Sequence, residues 1–127
     1  MDFIVQSHRI LIIDDEEAAI FGYTRYLTKA GFTVSSATHL KEGLDKLSKE
    51  EFEAVVLDVH LPDGNSIDLI PKIRAKSKHL KIFVVTGLND TDTSEKAIRH
   101  GADEFLVKPI AIKELCAAIT AALKTAR

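Results

Sequence analysis

The chain has 127 residues, a formal net charge of −2, 46 % hydrophobic and 28 % charged residues, and one cysteine. That composition excludes a disordered or fibrous chain, and the length suits one domain with a sizeable core, expected over residues 1–127. Scattered basic residues and near-neutral charge exclude the electrostatic footprint of a nucleic-acid binder, a single cysteine excludes an internal disulfide, and no window nears the roughly 18 apolar residues of a membrane span.

The start, "MDFIVQSHR", holds an apolar patch of Phe3, Ile4 and Val5 but no secretory hydrophobic region, so a cytoplasmic protein is expected. In "RILIIDDEE" the run Ile10 to Ile13 stops abruptly in acid. A short run, β-branched and apolar on both faces, suits a central strand of a parallel sheet. "EEAAIFGYTRYLTKAG" then places Ala19, Tyr23, Tyr26, Leu27 and Ala30 at helical spacing, with Gly31 as a stop. "FTVSSA" (32–37) is a weaker strand of edge character, and "HLKEGLDKLSKE" sets Leu40, Leu44 and Leu47 on one helical face.

A second strong strand, Ala54 to Leu57, delivers Asp58 and is followed by the turn-forming "LPDG". "SIDLIPKIRAKS" repeats Ile67, Ile70 and Ile73 on a helix whose first turns Pro71 perturbs. The run Ile82 to Val85 is a third strong strand, "DTSEKAIRHGA" a short polar helix ended by Gly101, and "EFLV" (104–107) a less uniform strand. The last helix, "AIKELCAAITAALKTAR", turns Leu115, Ile119, Ala122 and Leu123 to one side and holds Cys116 as a packed thiol. Five βα alternations with short connections predict an α/β fold with a doubly wound, five-stranded parallel sheet and helices on both faces.

In such sheets function sits at the carboxyl ends of the strands. There the chain places Asp14 and Asp15, then Asp58, then Thr86 before Gly87, then Lys108 before Pro109. Carboxylates ~4 Å apart at an effective dielectric of ~20 repel by on the order of 4 kcal/mol per pair. A hard divalent cation offsets this best, and Mg²⁺ typically takes one or two carboxylates while keeping several waters. A carboxylate beside such a cation can attack a phosphoryl group in line, with Lys108 and Thr86 on the phosphoryl oxygens.

"LIIDDEE", "VVLDVHLPDG", "VVTG" and "FLVKP", in that order, resemble the receiver domain of two-component response regulators, over a core of about residues 8 to 124. "LPDG" and "VVTGLND" look most like the receivers of enhancer-binding transcription activators. The resemblance implies a flavodoxin-like three-layer (βα)5 sandwich with Asp58 as the phosphoacceptor. It implies Mg²⁺ held by Asp14, Asp15, Asp58 and the backbone carbonyl of His60, and Thr86 and Lys108 on the phosphoryl group. It implies a cis Lys108–Pro109 bond and a switch formed by Thr86 and Phe105, the latter standing where the family more often has tyrosine. It further implies a histidine kinase or histidine phosphotransfer protein as donor, and partner exchange or a homodimer through the face of the fourth helix, fifth strand and fifth helix. Self-phosphorylation and slow self-dephosphorylation are expected, without turnover on external substrates.

From their spacing, His60 and Leu88 are expected to line the mouth of the site and to set water access to the acyl phosphate. Glu16 and Glu17 read as a solvated first turn, Asp63 and Gly64 as turn formers, and Phe21, Tyr23, Tyr26 and Phe32 as core and edge packing. Two other classes fit less well. "DVHLPDG" approaches a cobalamin-binding pattern but has Asp63 where glycine belongs. An aspartyl phosphohydrolase needs a second carboxylate where His60 stands.

Overall fold

The computed structural model describes residues 8–87 and 91–125, with side chains to residue 123. Its sheet holds β1 (Arg9–Ile13), β2 (Thr33–Ala37), β3 (Ala54–Leu57), β4 (Lys81–Thr86) and β5 (Glu104–Val107), all parallel, in the order β2-β1-β3-β4-β5. Between and after the strands run α1 (Glu17–Lys29), α2 (Leu40–Lys49), α3 (Ile70–Lys76), α4 (Thr91–His100) and α5 (Ile112–Thr125).

Successive strand residues point to opposite faces, so each central strand feeds two cores. Leu11, Ile13, Val55, Leu57, Ile82 and Val84 pack with Leu40, Ile70, Ile73 and Ala97 of α2, α3 and α4. Ile10, Ile12, Ala54, Val56, Phe83 and Val85 pack with Tyr23, Leu27, Leu115, Cys116 and Ile119 of α1 and α5. Burial on both sides is why these runs lack polar alternation. The edge strands β2 and β5 are only partly buried, which accounts for their weaker sequence signal.

Three details differ from the sequence reading. The helix expected from Ser66 opens as a 3-10 turn over Ser66–Leu69, and the α-helix begins at Ile70 with Pro71 in its first turn, where no backbone donor is needed. Phe21 is 66 % and Tyr26 38 % exposed, so neither is a core residue; α1 turns Tyr23 and Leu27 inward instead. After β3, His60–Leu61 and Gly64–Asn65 form a two-residue antiparallel ribbon around Pro62 and Asp63. Gly64 has φ +151°, a conformation that side chains disfavour.

The sheet order reverses between β1 and β3, the switch point where wound sheets open a crevice. Asp14 and Asp58 are the first residues beyond these two strands.

Candidate functional site

Each acid is fixed by one more rung of the sheet ladder. The Asp14 amide donates to the Ala37 carbonyl at 3.1 Å, and the Asp58 amide to the Ile13 carbonyl at 3.0 Å. Across the sheet the Lys108 amide donates to the Thr86 carbonyl at 2.8 Å. The backbone of β1, β3 and β5 therefore sets where the charges stand. Residues 94 positions apart in sequence meet: Lys108 Nζ lies 2.9 Å from Asp14 Oδ2 and 3.4 Å from Asp58 Oδ2. Asp14, Asp15 and Asp58 bring carboxylate oxygens within 4.8 Å of one another, with Asp14 buried and Asp15 exposed.

Burial raises the Asp58 carboxyl above the usual carboxylate range; Lys108 opposes this, and the Asp14 charge adds to it. For Lys108, desolvation works against the charged amine, but the hydrogen bond to Asp14, the charges of Asp58 and Asp14 and the hydrogen bond to Glu16 outweigh it and hold its pKa above the ordinary lysine value. Burial also raises the Tyr23 phenol, which feels the charges of Lys108, Asp14, Asp58 and Glu16. One ammonium facing this group of acids leaves negative charge in excess. Hard oxygen donors gathered this closely fit a Mg²⁺ ion, which tolerates few protein ligands and keeps its waters.

Three contributors lacked a local signal in the sequence. Glu16, read as solvated, places Oε1 3.2 Å from Lys108 Nζ. Asp63, read as a turn former only, accepts from the amides of Leu40 at 2.7 Å and Lys41 at 2.9 Å, capping α2 from the loop after β3. Those two amides, Lys41 first, hold its carboxyl below the usual range. Ser66 is fully buried, and its hydroxyl donates to the Asp58 carbonyl at 2.6 Å while its amide donates to the Val59 carbonyl at 2.9 Å. Ser66 thus ties the far end of the loop back to its start at Asp58 and Val59. Asp58 Oδ1 accepts from the Val59 amide at 2.7 Å, leaving Oδ2 toward Lys108.

Thr86 closes β4 and is 2 % exposed, and a Cβ added at Gly87 would meet nothing within 4 Å. His60 is exposed in the ribbon that follows Asp58. Phe105 is partly buried on β5 against the core beneath α4. The Lys108–Pro109 peptide bond is cis. Leu88 lies outside the described residues, as does the Phe3–Val5 patch.

A wound α/β sheet that gathers three carboxylates and an ammonium at its switch point defines a class of proteins with a charged pocket at the carboxyl ends of the strands. Comparison with known proteins narrows the class. Residues 10–120 match the family model described as the response regulator receiver domain. The transcriptional regulatory protein CusR of Escherichia coli K12 is 33 % identical over 116 residues, 91 % of this chain and 51 % of CusR. The chain spans about half the length of the curated relatives it matches. Among solved structures, the beryllofluoride-activated NtrC4 receiver domain dimer superposes with TM-score 0.88 at 34 % identity, covering 94 % of this chain and 98 % of that one. A Burkholderia pseudomallei response regulator, solved with a phosphorylated aspartic acid, calcium ion and citrate, gives TM-score 0.84 at 30 % identity over 93 % of this chain and 70 % of that one. The chain belongs to the response regulator receiver domain family of two-component signalling. Among the described residues, no helix is long and apolar enough to cross a membrane.

Proposed function

We propose that Asp58 is the phosphoacceptor, receiving its phosphoryl group from a phosphohistidine on a histidine kinase or histidine phosphotransfer protein. The observation that carries this reading is the meeting of Asp58 Oδ2, Asp14 Oδ2 and Lys108 Nζ at the switch point. Asp58 Oδ2 attacks phosphorus, the new P–O bond forms as the P–N bond breaks, and the histidine leaves. Asp14, Asp15, Asp58 and the His60 carbonyl would hold Mg²⁺, which would supply charge neutralisation on the phosphoryl oxygens. Lys108 exchanges a carboxylate for a phosphoryl oxygen, and the Thr86 hydroxyl donates to another. The acyl phosphate hydrolyses slowly, with His60 and Leu88 at the rim setting water access, and external phosphomonoesters are not turned over.

The product brings about −2 charge and strong acceptors to the edge between β3 and β4. Thr86 and Phe105 transmit it to the face of α4, β5 and α5, which exchanges partners or pairs two copies of the chain. Ile98 and Val107, 48 % and 36 % exposed on that face, supply apolar surface for a partner. Residues 1–127 act as one receiver domain in the cytoplasm. Incubation with acetyl phosphate and Mg²⁺, followed by intact mass measurement, tests the reading. Wild type gains one phosphoryl mass, and the gain disappears in Asp58→Asn or when EDTA removes the metal. Equal labelling of Asp58→Asn would defeat it.

A further inference from the structure

We propose that Glu16 is a tether for Lys108, keeping the ammonium at the pocket mouth when Asp14 and Asp58 are engaged by a cation; this rests on the reading of Asp14, Asp15 and Asp58 as the cation site. Three observations lead to it. Glu16 is the N-cap of α1, yet its side chain makes no capping hydrogen bond. That position favours the short oxygens of Ser, Thr, Asp or Asn, which fold back onto the first free amides. The longer Glu16 side chain instead reaches Lys108 at 3.2 Å. Its own amide is satisfied by Asp14 Oδ1 at 2.9 Å.

Among the described residues three carboxylates lie on Lys108; Asp14 and Asp58 also belong to the group whose oxygens converge within 4.8 Å, whereas Glu16 does not. Glu16 is therefore the acid on this amine with no second claimant. Its exposure differs accordingly: the Glu16 side chain is 65 % exposed, against 4 % for Asp14 and 13 % for Asp58. Such an exposed pair is weak and easily exchanged. It can hold the ammonium against drift and then release it to a doubly charged phosphoryl group.

The coupling has a definite sign. In the empty pocket the ammonium divides itself among three acids. Once Asp14 and Asp58 are occupied, its interaction with Glu16 grows, so Glu16 favours the loaded pocket by way of Lys108. A carboxylate acting merely by its charge would favour the loaded pocket whether or not Lys108 were present.

A double-mutant cycle separates the two, with Mg²⁺ titrated into wild type, Glu16→Gln, Lys108→Met and the double variant, and binding read from amide chemical shifts. The expected result is a roughly two- to fivefold loss of affinity for Glu16→Gln when Lys108 is present, on the scale of an exposed ion pair. In the Lys108→Met background the loss falls below half of that on a logarithmic scale. Glu16→Asp keeps the charge but loses the reach, so it weakens binding as Gln does, while raising the melting temperature because aspartate caps α1. Equal losses in both Lys108 backgrounds, or full affinity in Glu16→Asp, would overturn the tether. Absence of Mg²⁺ binding in wild type and Lys108→Met alike would instead overturn the cation site on which it rests.

Discussion

The two edges of the sheet handle charge in opposite ways. At the amino edge, Arg74 donates to the carbonyls of Gly101, Ser77, Lys78 and Leu80 and to the Asp103 carboxylate. Asp103 in turn accepts from the Ile82 amide at 2.8 Å, joining α3, β4 and the turn before β5. Arg9 pairs with Glu50, donates its amide to Glu53 and stacks over the Phe52 ring at 5.1 Å. Each charge there has partners that stay with it. At the carboxyl edge, Asp14, Glu16 and Asp58 crowd around Lys108, Asp15 brings a further carboxylate close to Asp14 and Asp58, and acid is left in surplus. One edge pairs its charges within the protein, the other leaves acid in excess, and strand direction separates them.

That contrast makes graded predictions. The largest effect is at the amino edge: Arg74→Ala strands several carbonyls and one carboxylate, costing about 2–4 kcal/mol in urea unfolding. A loss below about 0.5 kcal/mol would show that the network is ornamental. At the carboxyl edge the sign reverses. Asp58 has a folded pKa above its ordinary value, so its stabilising contribution is complete at pH below about 4 and is lost as pH rises through the raised value. Asparagine is neutral throughout, so Asp58→Asn without metal is more stable at neutral pH by roughly 1 kcal/mol. A destabilised Asp58→Asn would mean that the Lys108 contact dominates over burial.

The smallest effect belongs to Asp63. Its folded pKa is depressed by the Lys41 and Leu40 amides, so its contribution is present above the ordinary carboxylate pKa and lost as pH falls through the lower folded value. Thermal melts of wild type and Asp63→Ala should differ by a few degrees at neutral pH and converge in acid. A gap that persists unchanged at the lowest pH would remove the carboxylate from the account.

The same contrast explains what the sequence made legible. Strands β1, β3 and β4 are buried on both faces, so their apolar runs stand out, and the polar residue that ends each one is the candidate site residue itself. Asp14, Asp58, Thr86 and Lys108 could be read because strand ends convert position in sequence to position in space. Glu16, Asp63 and Ser66 act through partners 92, 22–23 and 8 residues away, with no periodicity to announce them. Arg74 was silent for a similar reason: an arginine in the last turn of a helix looks solvated until the carbonyls around it are known. Phe21 misled in the other direction, since an aromatic next to core positions on α1 still faces outward.

Asp14, Asp15 and Asp58 share one pocket, and the account requires the phosphoryl group to reside on Asp58 alone. Borohydride reduces an acyl phosphate to the alcohol, so treating the acetyl-phosphate-labelled protein and sequencing its peptides by mass spectrometry identifies the modified residue. The account predicts homoserine at position 58 and unmodified aspartate at positions 14 and 15. Homoserine at either of those positions, or a labelled protein with none, would contradict it.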